Sequence, residues 1–279
     1  MLNLTCIWQD FLLQLSQITD MPELPDLQVF SRNLDKKIAG KKVKKVNVPV
    51  TKKLKVPVET LKKSLEGDEV KEVYREGKEL HIAFKNDNVL GLHLMLNGDL
   101  HFFEGKNENK NTIIELFFDD DTGLALTDWQ GVATPTLNPE KRDAPDALSK
   151  EITADFLKQK LQKTRTIVKN VLLDQHVIRG IGNAYADEIL WDAGISPFSV
   201  SNKIPDDKIK ALAKSIKKVL TDAEKQINKL HPDIIKGEVR DFLQIHHPKK
   251  TKSPTGAVIH NKVAGSRKTY YTDEQELYK

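Results

Sequence analysis

Pro22, which directly follows an internal methionine, carries the most unusual chemistry that this chain could perform. As the first residue of a chain, its nitrogen is a secondary amine that can attack a sugar aldehyde carbon and form an iminium ion. Within a chain the same nitrogen is a tertiary amide with a delocalised lone pair, so it cannot react in this way. Whether Pro22 can act therefore depends on whether translation starts at Met1 or at Met21.

Two further side chains could move protons around such an amine. Glu23 follows Pro22 directly, and its carboxyl group could carry a proton to or from a sugar ring oxygen and a leaving group. A surface glutamate that favours the dipole of a helix in its first turn is the alternative. Lys78 lies in the run REGK at residues 75–78, at the tip of a predicted hairpin. It could donate to a leaving group or bind a phosphate, or it could be a solvated turn lysine.

Two other places could bind phosphate. The run GIGN at residues 180–183 precedes a predicted helix and leaves backbone N–H groups at its positive end, where Asn183 could add a donor. The alternative is a glycine C-cap and an asparagine N-cap between two helices. Arg267 lies in the run GSRKTYY at residues 265–271, a predicted turn from which its guanidinium could bind a phosphate through two hydrogen bonds. A surface arginine is the alternative there.

Composition restricts the class of protein. The 279 residues carry a formal net charge of +4, which permits a polyanionic partner but does not require one. The single cysteine, Cys6, excludes a disulfide within the chain and a cysteine-based zinc site, and it suits a reducing cytosol. No run is apolar enough to span a bilayer, and residues 1–20 lack the basic residues of a targeting peptide. We therefore expect a soluble cytoplasmic protein with no membrane partner.

The elements that would position these residues differ in their periodicity along the chain. Residues 22–39 have apolar positions at helical spacing, and Gly40 ends that pattern. An antiparallel sandwich or barrel is predicted next, with strands in residues 42–50, 69–84, 89–96, 99–104, 112–118 and 124–128. Amphipathic helices are predicted for residues 154–173, 184–193 and 206–230, and short strands for 257–261 and 268–271. The predicted fold class is α+β with several domains.

Taken together and in this order, these runs resemble the formamidopyrimidine-DNA glycosylase and endonuclease VIII family. The most specific match is LDQHVIRGIGNAYADEIL at residues 173–190, which is similar to the helix-two-turn-helix of that family. The runs MPELPD at residues 21–26, HLMLNG at 93–98 and APDALS at 144–149 match as well. Leu24 after Glu23 is similar to the formamidopyrimidine branch, because the endonuclease VIII branch usually has glycine there.

The resemblance implies a domain order. It places an N-terminal helix with an antiparallel β-sandwich in residues 21–150, a helix-two-turn-helix domain in residues 151–236, and a small β-hairpin finger in residues 237–279. Residues 1–20 are then an extension that the mature enzyme lacks. We expect translation to start at Met21 and this methionine to be removed, which would free the amine of Pro22.

The resemblance also implies an activity, that of a bifunctional DNA glycosylase and AP lyase of base excision repair. Such an enzyme excises oxidised purines, 8-oxoguanine and formamidopyrimidine, from damaged double-stranded DNA and nicks the strand by β,δ-elimination. We expect a monomer without a cofactor, in the cytoplasm or on a bacterial nucleoid. The implied catalytic residues are Pro22 as the nucleophile at C1′, Glu23 as the proton shuttle, Lys78 as a general acid, and Arg267. The implied DNA-binding residues are His93, Leu96, Gln130, Lys169, Asn183 and Arg267.

One departure from the family concerns its zinc finger, of the form Cys-x2-Cys-x16-Cys-x2-Cys. The spacing is kept, but the ligand positions hold Lys252, Thr255, Thr272 and Gln275. We therefore expect no zinc and a finger that packs through Val258, Ile259, Tyr270, Tyr271 and Leu277. A replacement site built from His246, His247 and His260 is the alternative.

A second departure concerns the residues beside the extruded base. The run DWQGVA at residues 128–133 lacks the arginine and phenylalanine that the family places there, and Gln130 or Trp129 could replace them. Leu96 takes the position of the family's wedge methionine. Two alternatives follow: the same chemistry on oxidised pyrimidines, or a non-catalytic protein that binds damaged DNA if residues 1–20 are retained.

Overall fold

The computed structural model describes residues 21–264 and 267–279. The predicted extension, residues 1–20, lies outside the described residues, and so do residues 265–266 of the predicted turn before Arg267. Helix α1, Leu24–Ile38, has a proline in its first turn, and the Asp26 carboxylate accepts the N–H of Glu23 at 2.9 Å. Both features favour a helix start, the first because the helix does not use the N–H groups of its first turn, so the missing N–H of proline costs nothing there.

Two antiparallel sheets follow α1 and confirm the predicted sandwich. The strands are β1 (Val43–Asn47), β2 (Val70–Glu76), β3 (Glu79–Phe84), β4 (Val89–His93), β5 (Asp99–Glu104), β6 (Thr112–Phe118), β7 (Thr122–Thr127) and β8 (Thr134–Leu137). In the described part of the chain, one four-stranded sheet has the order β1-β6-β7-β5 and the other the order β2-β3-β4-β8. Buried apolar side chains from both sheets form a common core.

Two elements of this region have no counterpart in the sequence analysis. Helix α2, Val58–Leu65, is short and buries only Leu61 and Leu65, which leaves too little periodic signal to predict it. Strand β8 contains Pro135, a residue that sequence reasoning places outside strands. It is tolerated because β8 is the last strand of its sheet and pairs only with β4.

Two neighbouring connections carry the chain from one sheet to the other, one from β4 to β5 and one from β7 to β8. They start and end on paired strands, because His93 pairs with Thr134 and Asp99 pairs with Thr127. The two connections therefore run side by side along one edge of the sandwich. The β2–β3 turn lies at this edge too, since β3 runs antiparallel to β4.

The helical region contains α3 (Ala154–Gln162), α4 (Val168–Leu173), α5 (Asn183–Asp192) and α6 (Asp206–Leu230). The prediction of one helix over residues 154–173 is wrong. The apolar stripe is continuous through this range. A continuous helix would bond the N–H of Val168 to the carbonyl four residues earlier, but this N–H bonds to the Ser199 carbonyl at 2.9 Å. A hydrogen bond between residues so far apart in sequence leaves no periodic signal.

The finger is a two-stranded antiparallel hairpin of β9 (His260–Ala264) and β10 (Arg267–Tyr271). The first strand thus begins later than the predicted range of 257–261. Of the side chains expected to pack this hairpin, Tyr270 is buried, whereas Val258 and Leu277 are 54% and 46% exposed. The expectation is wrong for the latter two, because polar contacts described below hold this part of the finger.

Helix α1 connects the cores of the sandwich and of the helical region. Its Leu27 packs into the sandwich core, its Leu24 into the core of the helical region, and its Val29 against Ile227 of α6. The start of α1, where Pro22 and Glu23 lie, is therefore held between the two regions. Among the described residues, no helix is both long and apolar enough to cross a membrane.

Candidate active site

Glu23 lies where the sandwich meets the helical region. Its carboxylate accepts the backbone N–H groups of Gly182 at 2.8 Å, Ala184 at 2.8 Å and Tyr185 at 3.3 Å. These donors stand at the positive end of α5, where a helix leaves its first N–H groups unpaired. Glu23 is 3% exposed, so the alternative of a surface glutamate is excluded.

Gly182 makes this close approach possible. A Cβ atom on residue 182 would lie 2.2 Å from the carboxyl carbon of Glu23, and the backbone there has an ordinary φ of −118°. Glycine is therefore required by space and not by backbone conformation. Of the N–H groups in residues 180–183, that of Gly182 binds Glu23 and that of Gly180 binds the Gln175 side chain at 2.8 Å. Phosphate binding at this run stays a prediction.

Pro22 is buried beside Glu23 at the start of α1. Asp26 anchors this start, because its carboxylate binds the Glu23 N–H and receives two hydrogen bonds from Arg240, at 2.9 and 2.8 Å. The Arg240 guanidinium also lies over the ring of Tyr185, 5.4 Å from its centroid. Sequence reasoning missed this pair, since an ion pair between distant segments leaves no local signal.

Lys78 occupies the β2–β3 turn, as predicted, and Gly77 supplies the left-handed φ of +60° that the turn requires. Arg75 forms two hydrogen bonds with Asp146, at 2.5 and 2.9 Å, and Asp146 also accepts the Gly77 N–H at 3.2 Å. Asp146 belongs to the segment before α3. The turn is therefore fixed from outside the sheet, a role of Asp146 that the sequence did not reveal.

Charges from three regions act on Lys78. Burial lowers the pKa of its ammonium group, the Glu23 carboxylate acts in the opposite direction, and the cations of Arg267 and Arg240 lower the pKa further. Glu23, Lys78 and Arg267 thus lie within electrostatic reach of one another. A lysine with a lowered pKa gives up its proton more readily, which is what a general acid needs.

His93 ends β4 at the same edge. Its Nδ1 accepts the Met95 N–H at 3.1 Å, so the neutral ring carries its proton on Nε2 and can donate from there. Burial lowers the pKa of His93, the Glu79 carboxylate raises it, and the cations of Arg142 and Lys78 lower it. A cavity of about 450 Å³ is lined by Lys78, His93 and Arg142 among others.

The two connections between the sheets present side chains to solvent. Leu96 in the β4–β5 connection is 48% exposed, and Trp129 in the β7–β8 connection is 69% exposed beside the exposed Gln130. The buried carboxylate of Asp128 accepts the N–H groups of Gln130, Val132 and Ala133 at 2.7 to 2.8 Å. Three hydrogen bonds to Asp128 therefore fix the backbone of the β7–β8 connection, while the Trp129 ring is exposed to solvent.

The remaining predicted residues lie between α5 and the finger. The Asn183 side chain donates to the Lys268 carbonyl at 3.0 Å. Lys169 is 1% exposed and pairs with Asp187 at 2.6 Å. Arg267, the first residue of β10, is exposed. DNA contacts by Asn183 and Lys169 stay predictions, and in this structure both side chains hold other parts of the protein.

The positions of the family's zinc ligands do not fit a metal. The Gln275 side chain is used twice, accepting the Thr272 N–H at 2.8 Å and donating to the Ile195 carbonyl at 2.8 Å. The Thr255 hydroxyl donates to Glu274 at 2.7 Å, and Lys252 is an exposed cation. In the described ranges, no group of three or more His, Cys, Asp or Glu side chains is arranged to hold a metal ion.

The histidines considered as replacement ligands have other contacts. His246 bonds to Asp187 at 2.7 Å, and His260 bonds to Asp273 at 3.1 Å. His247 lies 3.9 Å from Asp241. Each histidine thus faces a different carboxylate. The three histidines make separate polar contacts and do not form a shared metal site.

The fold and the junction site together define a class, that of DNA glycosylases with a helix-two-turn-helix. Residues 21–134 match the formamidopyrimidine-DNA glycosylase N-terminal domain, and residues 144–230 match the formamidopyrimidine-DNA glycosylase H2TH domain. The chain belongs to the formamidopyrimidine-DNA glycosylase family.

Relatives and solved structures agree with this membership. The formamidopyrimidine-DNA glycosylase of Carboxydothermus hydrogenoformans is 35% identical over 72% of this chain and 76% of its own length. That of Lactobacillus acidophilus is 30% identical over 93% of this chain and 100% of its own length. The Lactococcus lactis enzyme, non-covalently bound to abasic-site DNA, has a TM-score of 0.81 and 26% identity, covering 91% of this chain and 100% of that one. MutM in complex with DNA that contains carbocyclic 8-oxoguanine also has a TM-score of 0.81 and 26% identity, covering 90% of this chain and 98% of that one.

Proposed function

We propose that this chain is a bifunctional DNA glycosylase and AP lyase of base excision repair that removes oxidised purines, 8-oxoguanine and formamidopyrimidine, from duplex DNA. One observation carries the proposal. The Glu23 carboxylate, next to Pro22, is buried against the N-terminus of α5 and acts electrostatically on Lys78. A nucleophile, a proton carrier and a cation thus converge where the sandwich meets the helical region.

The proposed reaction begins when the free amine of Pro22 bonds to C1′ of the damaged nucleotide. The glycosidic bond breaks, and the base leaves with its electron pair and takes a proton, for which Lys78 is the proposed donor. The Glu23 carboxylate accepts the proton that the Pro22 nitrogen loses and passes it to the ring oxygen as the sugar opens, which leaves an iminium ion between Pro22 and C1′. Loss of a C2′ proton expels the 3′ phosphate, and loss of a C4′ proton expels the 5′ phosphate in a second elimination. Water then hydrolyses the iminium ion, which releases the sugar fragment and restores the Pro22 amine. No cofactor is required.

Exposed, partly buried and buried residues supply the proposed DNA contacts. Arg267 and the Nε2 proton of His93 are donors suited to phosphate oxygens, because both can offer N–H groups to an anion. Leu96 and Gln130, on neighbouring connections between the sheets, would enter the duplex where the base leaves. Asn183 and Lys169 would act near the backbone, on the side of α5 and α4.

This mechanism requires Pro22 to be the first residue. We infer that the active form starts at Pro22, with a sandwich domain in residues 21–150, a helix-two-turn-helix domain in 151–236 and a finger in 237–279. It would work as a monomer in the cytoplasm or on a bacterial nucleoid. Protein initiated at Met21 should be trapped on abasic DNA by borohydride as a covalent adduct through Pro22. A variant with Ala inserted between Met21 and Pro22 is the control and should give no adduct.

A second candidate is the same chemistry on oxidised pyrimidines. The observation that favours it is the β7–β8 connection, where Trp129 and Gln130 stand in place of the usual arginine and phenylalanine. Single-turnover rates on duplexes that contain 8-oxoguanine, formamidopyrimidine, thymine glycol or 5-hydroxycytosine would separate the two. Faster excision of the pyrimidine lesions would show that oxidised pyrimidines, and not oxidised purines, are the preferred substrates.

The non-catalytic alternative depends on the start of the natural chain. If residues 1–20 are retained in the cell, Pro22 has no amine and only DNA binding can survive. An intact-mass measurement on the endogenous protein decides this, because the two forms differ by the mass of the extension.

A further inference from the structure

Asp187 is a buried carboxylate that the proposed reaction does not use. It lies on α5 and is 0% exposed. Its Oδ1 faces the ammonium of Lys169 at 2.6 Å, and its Oδ2 bonds to Nδ1 of His246 at 2.7 Å and to the N–H of Tyr270 at 2.9 Å. One carboxylate thus joins α4, α5, the segment before β9 and strand β10.

The contacts around Asp187 concentrate on one stretch of β10. Lys169 also donates to the Thr269 hydroxyl at 2.8 Å, and the Thr269 side chain is fully buried. Asn183, one turn before Asp187 on α5, donates to the carbonyl of Lys268 at 3.0 Å. Three successive residues of the strand, from Lys268 to Tyr270, are therefore held by the helical region, directly after Arg267.

The finger itself offers little to hold Arg267 in place. Among the described residues, its two strands pair only with one another, and Val263, opposite Lys268, is 67% exposed. An isolated two-stranded hairpin is marginally stable in water, so this one depends on the contacts from the helical region. The hydrogen bonds of Thr255 and Gln275 close the far end of the finger, away from Arg267 in sequence.

We propose that Asp187 is a positioning residue that sets Arg267 on the DNA backbone, because its carboxylate fixes the strand that follows Arg267. In this chain the carboxylate performs the orienting task that a metal site cannot, since the residues at the ligand positions do not fit a metal. The role deepens the proposed function and rests on it for its DNA readout.

A positioning role differs measurably from a general contribution to stability. If Asp187 acts through Arg267, its loss should weaken DNA binding only while Arg267 is present. The test is therefore a double-mutant cycle on the affinity for a duplex with a tetrahydrofuran abasic analogue, using Pro22-initiated protein. The variants are Asp187→Asn, Arg267→Ala and the combination of both.

The matched control lies on the same helix. Asp192 bonds to Ser215 and Lys218 of α6, both at 2.6 Å, so its hydrogen bonds run to α6 and not to the described residues of β10. Asp192→Asn therefore removes a carboxylate of α5 without touching β10, and it should leave the affinity unchanged. Hydrogen exchange of free protein, read at residues 260–271, accompanies the binding measurements.

We expect Arg267→Ala and Asp187→Asn each to weaken binding about 10- to 100-fold, the worth of a charge-assisted hydrogen bond. The double variant should bind no worse than Arg267→Ala alone, and exchange in β9 and β10 should rise in Asp187→Asn only. Additive losses, or unchanged exchange in the hairpin, would overturn the proposal.

If Asp187→Asn does not fold, Thr269→Val removes one hydroxyl from the same contact and should act in the same direction, with a smaller loss. If wild-type protein neither binds nor cleaves abasic DNA, the proposed function fails. Hydrogen exchange in the DNA-free variants then decides the anchoring of the hairpin independently.

Discussion

The domain junction and the finger hold their functional side chains by different means. At the junction, Glu23 rests on the N–H groups of α5 and the Lys78 turn rests on Asp146, so charged or backbone partners surround each group directly. In the finger, Arg267 is exposed, and its described support comes from pairing with Ala264 and from the residues after it in β10. In both places the rigidity comes from a neighbouring region, because the element that carries the side chain is too small to provide it.

The difference lies in which residues supply that support. The junction uses residues of the runs MPELPD and GIGN, which the sequence marks clearly. The finger keeps the spacing of a zinc motif but replaces its ligands, and Asp187, Lys169 and Thr269 hold it instead.

Gly182→Ala should cause the largest loss, because the added Cβ would lie 2.2 Å from the carboxyl carbon of Glu23. Displacing a proton carrier costs about 10²- to 10⁴-fold in rate. Single-turnover excision and abasic-site cleavage should both fall. Gly256→Ala in the finger is the matched control, since it has an unfavourable φ of +92° but open space around it. It should lower stability by about 1 kcal/mol and leave the rate unchanged. Equal rates in the two variants would contradict the contrast.

Lys78→Ala should lower base excision by about 100-fold, within the range for general acid catalysis. Cleavage of a preformed abasic site should fall less, because no base remains to be protonated there. The measurement compares single-turnover rates on a lesion duplex and on an abasic duplex. Lys71→Ala, an exposed lysine of β2, is the control. Equal losses on both substrates would count against the assigned role.

The pH dependence of excision should report the same lysine. Burial lowers the pKa of Lys78 from its usual value of 10.5, so its acid form is lost at a lower pH than for an exposed lysine. Excision should therefore decline as the pH rises through this lowered value, on the alkaline side of the profile. Lys78→Arg should lower the rate and remove this decline from the residual activity, because a guanidinium stays protonated and does not give up its proton. If the variant keeps the alkaline decline at the same pH, a group other than Lys78 causes that decline.

Trp129→Ala should weaken binding of an abasic-analogue duplex about tenfold, at the lower end of what stacking on a base contributes. The indole is 69% exposed on a connection that Asp128 fixes, so little of its effect should fall on stability. Leu230→Ala, which removes an exposed apolar side chain at the end of α6, is the control and should bind normally. Unchanged binding would leave Gln130 and Leu96 as the contacts at this edge.

Chelation should have the smallest effect. Dialysis against EDTA is expected to change neither abasic-site cleavage nor thermal stability, because Gln275 and Thr255 fill the ligand positions with hydrogen bonds. A loss of activity that zinc restores would make the finger a metal site and remove the contrast with the junction.

Much of the scaffold follows from periodicity in the sequence. The alternating runs of the sandwich predicted β5 and β6 at their observed bounds, because each strand buries one face or both against the same core. Periodicity failed between α3 and α4, where a hydrogen bond to Ser199 interrupts a continuous apolar stripe. It also missed α2 and β8, which bury too few side chains to leave a pattern.

The sequence by itself determined the candidate chemistry of this protein, namely an amine at Pro22 once it is freed, a carboxyl at Glu23 and cations at Lys78 and Arg267. It could do so because the types and order of these residues are local properties. The tertiary structure alone decided that Glu23 closes the N-terminus of α5 and that Asp146, Arg240 and Asp187 anchor the elements around the site. The physical reason is that buried carboxylates need partners, and folding brings those partners from segments far away in the chain.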